Sequence, residues 1–177
     1  MKSASIVFLL LAATLPAICA DPALAALEDI KLADNAMSRQ QNDRALALAK
    51  KSLAVLEHNP AKPAGLDQAD WDKRRTLAMG TAHWIAGIVE ANKNEFFAAD
   101  KDLRVALPVT KDKKEMYAAT LFFLGLSNYQ VGRQTVNKNQ ILQGAKYSEQ
   151  CAAIPGQYQE KAFENAKAMR REAAGMR

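Results

Sequence analysis

Small and apolar residues recur along this chain at steps of three and four. Ala23, Ala26, Ile30, Ala33 and Met37 form the first series, which predicts a helix between Ala23 and Gln41 with one inward face. Asn42-Asp43 offers a turn and an N-cap, and Leu46, Ala49, Leu53 and Leu56 repeat the spacing up to His58-Asn59-Pro60. The segment from Asn59 to Leu66, with two Pro and one Gly, reads as a connector. A long helix is expected from Asp67, its cap, with Leu77, Thr81, Trp84, Ile88 and Ala91 on one stripe. Its partner carries Phe96, Ala99, Leu103 and Ala106 and is expected to stop near Pro108, because proline cannot continue the backbone ladder. After Thr110-Lys111-Asp112, one stripe holds Tyr117, Leu121, Leu124, Asn128 and Val131 and another holds Ala118, Phe122, Gly125 and Tyr129, a surface broad enough for contact on two sides. Gly132 is expected to end that helix, with Arg133 to Asn139 as a polar loop. A helix with Ile141, Gly144, Ser148 and Cys151 then ends at Pro155-Gly156, and a last one, Gln157 to Ala174, turns Ala162, Ala166, Met169 and Ala173 inward.

The start of the chain follows a different pattern. Lys2, the apolar run Ile6 to Leu15, and Pro16-Ala17-Ile18-Cys19-Ala20 have the order of a secretory signal peptide, so residues 1–20 are expected to be a leader. The run is shorter than the ~20 apolar residues that cross a bilayer. A periplasmic or secreted protein without a transmembrane span in its mature chain is therefore expected. Cleavage after Cys19, Ala20 or Ala25 is compatible with the small residues there. Cys19 also raises the alternative of a lipoprotein anchored through that cysteine, against which Ile18 stands where a small residue is usual. If Cys19 leaves with the leader, Cys151 is the only cysteine and no intrachain disulfide forms.

Composition agrees with helices. There are 34 Ala among 177 residues against 20 Val, Ile and Thr together, which disfavours sandwiches and barrels. Loss of Lys2 leaves 23 basic and 19 acidic residues, a formal charge of +4, with Lys161, Lys167, Arg170, Arg171 and Arg177 gathered near the end. That excess is read as a solvated helix face, and a nucleic-acid partner is not expected.

The pairs also repeat. Gly87 is followed twelve residues on by Ala99, then by Leu103 and Ala106; Ala33 is followed at the same distances by Ala45, Ala49 and Ser52. Gly125 is followed by Gly144, Ser148 and Cys151 after an insertion of seven residues. This resembles the tetratricopeptide repeat, a 34-residue helix-turn-helix unit in which small residues sit where its two helices cross. The resemblance implies an all-α, right-handed helical-repeat array over 21–177: three helix pairs, at about 26–59, 80–113 and 118–156, and a capping helix at 157–174. The match is loose in places. His83 and Glu90 stand where large apolar residues are usual, and some twenty extra residues separate the first two units. An irregular helical bundle is the competing fold.

No phosphate-binding Gly-rich loop, His-Glu-x-x-His or Cys-x-x-Cys occurs. His58 and His83 fall in different units; Cys151 with either could imitate a nucleophilic pair, but its helical position at a small-residue site reads as a buried packing thiol. Acidic residues are expected to face solvent, with no apolar setting that would raise a carboxyl pKa. No enzyme activity, metal or cofactor is expected. The family resemblance implies that the first helices of the units line a concave groove. On this chain that set includes Leu27, Ile30, Asp34, Met37 and Ser38; Thr81, Trp84, Ile88, Ala91 and Asn92; and Ala119, Phe122, Leu126, Tyr129 and Gln130. Trp84, Phe122 and Tyr129 would form an aromatic strip flanked by the amides of Asn92 and Gln130, and no Lys or Arg belongs to the set. The expectation is a scaffold binding a protein segment, either an apolar peptide or a helix. The alternatives are that Trp84 and Phe122 are stacking core or lie under the terminal helix, and that the chain is a self-associating or membrane-surface subunit.

Overall fold

The computed structural model describes residues 21–58 and 60–176. The expected leader, its earlier cleavage positions and Cys19 lie outside the described residues, as do Asn59 and Arg177. Seven helices and no strand are found among the described residues: α1 (Pro22–Ser38), α2 (Asn42–Glu57), α3 (Gln68–Asn92), α4 (Phe96–Thr110), α5 (Lys114–Gln134), α6 (Lys138–Ala152) and α7 (Gln159–Gly175). The fold is all-α. None of these helices is long and apolar enough to cross a membrane.

Each helix packs on the next, and the odd-numbered helices also touch one another in order, α1 with α3, α3 with α5 and α5 with α7. Helices α2, α4 and α6 touch only their neighbours in the chain. The result is two layers: an inner one of α1, α3, α5 and α7, and an outer one whose members meet only through it. Of the expected first stripe, Ala23, Ala26, Ile30 and Ala33 are at 7% exposure or less, whereas Met37 is half-buried and Ala36, at 2%, completes the buried face of α1. Leu56, Ile85, Leu103, Leu121, Leu124 and Ile141 are fully buried, each contributing about 2 kcal/mol by removal from water.

The helix crossings are tight because the residues there are small. A Cβ added at Gly87 would lie 2.6 Å from Leu103 Cγ, and one at Gly144 only 2.8 Å from the Gly125 carbonyl oxygen and 2.9 Å from the Tyr129 nitrogen. Ala33, Ala45, Ala99 and Ala106 are wholly buried. Polar contacts recur in register as well. Ser52 Oγ, seven residues after Ala45, donates to the carbonyl of Ala26, seven before Ala33. Cys151 Sγ, seven after Gly144, donates at 3.3 Å to the carbonyl of Ala118, seven before Gly125.

The turns within the pairs differ from expectation. Instead of Asn42-Asp43, the first turn is Arg39-Gln40-Gln41, and α2 starts at Asn42 with no side-chain cap. Each pair closes through three residues, the middle one left-handed: Gln40 (φ 60°), Asn94 (φ 63°) and Val136 (φ 50°). The residue after it donates its N–H five residues back, Gln41 to Ala36, Glu95 to Glu90 and Asn137 to Gly132. This is the Schellman arrangement that satisfies the last carbonyls of a helix. Gly132 does not end α5, which runs on to Gln134. It is glycine because Ile141 passes over it: a Cβ there would be 2.7 Å from Ile141 Cγ1 and 2.8 Å from its nitrogen. The predicted loop from Arg133 to Asn139 shrinks to residues 135–137, because the seven inserted residues lengthen α5 at its end and α6 at its start.

Two further boundaries move. Helix α4 continues through Pro108 to Thr110, since proline that close to a helix end removes one backbone bond in the last turn. Helix α7 starts at Gln159 rather than Gln157. The extra residues between the first two pairs form the connector and the opening turns of α3. Asp67 caps α3 as expected, its carboxylate accepting from the Asp70 N–H at 2.8 Å. Trp71 in that extension is 1% exposed in the core around α1 and α2, and Arg75 Nε donates at 2.7 Å to the Leu56 carbonyl near the end of α2.

Candidate functional site

The residues expected to line the groove all stand on the inner layer, but they divide into two groups. In the first two pairs, Asp34 and Asn92 are exposed, Met37, Thr81 and Trp84 are half-buried, and Ile30 and Ile88 are buried. Met37 and Trp84 pack against both the core of the first pair and the core around Ile88 and Leu103, so they bridge the two. The Trp84 Nε1–H is buried and has no hydrogen-bond partner among the described residues.

In the third pair the terminal segment already engages the aromatics. Phe122 stacks on Tyr158, which precedes α7, with ring centroids 4.8 Å apart and planes 29° apart, and it meets Phe123 edge-on at 5.4 Å. The Tyr129 hydroxyl donates to Glu172 Oε2 on α7. Arg133 lies over the Tyr129 ring at 5.6 Å and reaches the same carboxylate at 3.2 Å. Glu172, as acceptor of its hydrogen bond, and then burial hold the Tyr129 pKa above the usual phenol value. Leu126 and Gln130, one on either side of Tyr129, are half-buried. The three aromatics therefore do not form one free strip, since Phe122 and Tyr129 are tied to the terminal segment.

Comparison with protein-family models, with curated proteins and with solved structures finds no match for this chain.

Outside the groove, sequence reasoning missed a polar cluster. Glu90 is 1% exposed, contrary to the expectation that the acidic residues face solvent in settings that leave their pKa values alone. The spacing that buries its neighbours Ala86 and Val89 also buries Glu90, under α2 and α4. Lys50 Nζ of α2 lies 2.8 Å from Glu90 Oε1. His83, 7% exposed, has Nδ1 at 3.2 Å from Asp102 Oδ1 and Nε2 at 3.9 Å from Glu57 Oε1. The signal available in advance was the departure already noted: His83 and Glu90 occupy positions where the repeat wants large apolar side chains.

Cys151 is fully buried, and burial pushes its thiol up to about 11. A thiol so placed is not a thiolate near neutral pH and is a poor nucleophile.

Proposed function

We propose that this chain is a tetratricopeptide-like interaction scaffold that works outside the cytoplasm and holds a protein segment against the free side of its inner helices. The observation that carries this reading is the order of the inner layer: α1, α3 and α5 touch in sequence and keep Asp34, Met37, Thr81, Trp84 and Asn92 at least partly open. Polar contacts that recur in register between pairs support the repeat. The half of the groove around Trp84 offers an apolar and aromatic anchor beside an amide able to bond an extended backbone, as peptide grooves do. The reading is non-enzymatic, and the buried, protonated Cys151 supports it.

Pull-down from envelope extract of the producing cells tests this. Trp84→Ala is expected to lose most of the recovered partner, and Tyr129→Phe, which changes only a bond to α7, to retain it. Equal recovery by wild type and Trp84→Ala removes the groove reading. Self-assembly is the second reading, favoured by Phe163, which is 53% exposed on α7 beneath Lys167 at 5.1 Å. Light scattering that finds only monomer disposes of it.

A further inference from the structure

The Glu90 cluster belongs to neither the groove nor the repeat's packing. It lies in a cleft of about 360 Å³ between α2 and α4, floored by α3. The charged and titratable groups facing it are Lys50 and Glu57 from α2, His83 from α3, and Lys101 and Asp102 from α4. Lys50 to Glu90 and His83 to Glu57 join α2 to α3 here, and His83 to Asp102 joins α3 to α4.

Glu90 Oε1 is satisfied by Lys50, whereas Glu90 Oε2 is buried and has no partner among the described residues. A buried carboxylate oxygen without a donor is costly. Solvent does not reach this atom, and no group of three His, Cys, Asp or Glu side chains among the described residues is placed to hold a metal ion. A proton bound at Oε2 turns it from an acceptor without a donor into a donor.

The next seam indicates what this position requires. Asn128 follows Gly125 by three residues, as Glu90 follows Gly87, and Arg104 follows Ala99 by five, as Lys50 follows Ala45. Arg104 Nη2 donates to Asn128 Oδ1 at 2.8 Å, matching Lys50 on Glu90, and Asn128 Nδ2 donates to Asp100. The amide accepts from a cation on one side and donates to a carboxylate on the other. A carboxylic acid does the same, and a carboxylate does not.

We propose that Glu90 carries a proton at Oε2 and donates it to Asp102, tying α3 to α4 beside the Lys50 contact, and that loss of this proton loosens α4 against α3. Burial first, with Asp102 adding to it and Lys50 opposing, raises the Glu90 pKa above the ordinary carboxylate value. A carboxyl raised in the folded state stabilises fully below its unfolded value, and that contribution is lost as pH rises through the folded value. The contact between α3 and α4 therefore tightens on acidification.

The test is carboxyl ¹³C NMR of the full chain labelled at Glu, titrated from pH 3 to 9. Glu90 is expected to bind its proton more tightly than the exposed glutamates, and Asp102→Asn to weaken that affinity severalfold. Amides of α4, corrected for the intrinsic pH dependence of exchange, are expected to exchange severalfold faster above the Glu90 midpoint in wild type and not in Glu90→Gln, which keeps both an acceptor and a donor. Titration of Glu90 together with the exposed glutamates overturns the proposal, whether or not the variants fold. So does acceleration of α4 exchange that persists in Glu90→Gln.

Discussion

The two halves of the inner layer share small residues at their helix crossings and finish differently. In the first two pairs Trp84 and Met37 bridge neighbouring cores and stay half-buried, and Asp34 and Asn92 face outward. In the third pair Phe122 and Tyr129 are held by Tyr158 and Glu172 from the terminal segment. A repeat array must stop somewhere, and its last unit needs a cover with a polar outer side. The difference teaches that the residues closing the helix stack are spent on that task, which leaves the side chains around Trp84 as the more open part of the inner layer.

The largest effect that separates the halves is expected at the glycines of the crossings. At Gly144 a methyl group meets backbone, the Gly125 oxygen and the Tyr129 nitrogen, which can yield only if α5 and α6 move apart. Gly144→Ala should cost about 3 kcal/mol, measured by urea unfolding. At Gly87 the nearest atoms are the Leu103 side chain, with backbone no closer than 3.1 Å, so Gly87→Ala should cost about 1 kcal/mol. Equal costs would mean that the third pair is no more rigidly built than the second.

Next in size is the tie between Tyr129 and α7. Tyr129→Phe should lower stability by about 1 kcal/mol and speed amide exchange in α7 while leaving α1 to α3 unchanged. The bond has a pH signature. The Tyr129 pKa is raised in the folded state, so its contribution is complete below the ordinary phenol value near 10 and is lost as pH rises through the folded value. Wild-type α7 should loosen selectively in that alkaline range, and in Tyr129→Phe this step should vanish.

The smallest effect lies in the turns. The same left-handed position is filled by Gln40, Asn94 and Val136, and a β-branched residue is the least suited of the three. Val136 is 79% exposed, so Val136→Asn loses little packing and should stabilise by about 0.5–1 kcal/mol in thermal unfolding. A loss of stability would show that the side chain does more than fill a turn.

These positions also show what the sequence could and could not reveal. The helices were legible because their inward residues keep a spacing of three and four, and the crossings because small residues recur twelve and nineteen apart. The turns were not, since Gln40 and Val136 lack the glycine that usually marks a left-handed residue, and Gly132 looked like a helix end when its role is to admit Ile141. Trp71 escaped because it lies before the repeat period begins. Of the groove set, the positions followed from the repeat, but the occupation of Phe122 and Tyr129 depends on where α7 folds back, which no local pattern encodes. Glu90 was visible as a departure from the pattern, yet its burial follows from α2 and α4 closing over it.

Site-specific photo-crosslinking in the producing cells tests the central claim most directly, with a benzophenone side chain placed in turn at Thr81 and Asn92 on the open half, at Gln130 near the closed half, and at Lys101 on the outer layer. The account predicts the same crosslinked partner from Thr81 and Asn92, weaker capture from Gln130 and none from Lys101. Capture from Lys101 with none from Thr81 or Asn92 would contradict it.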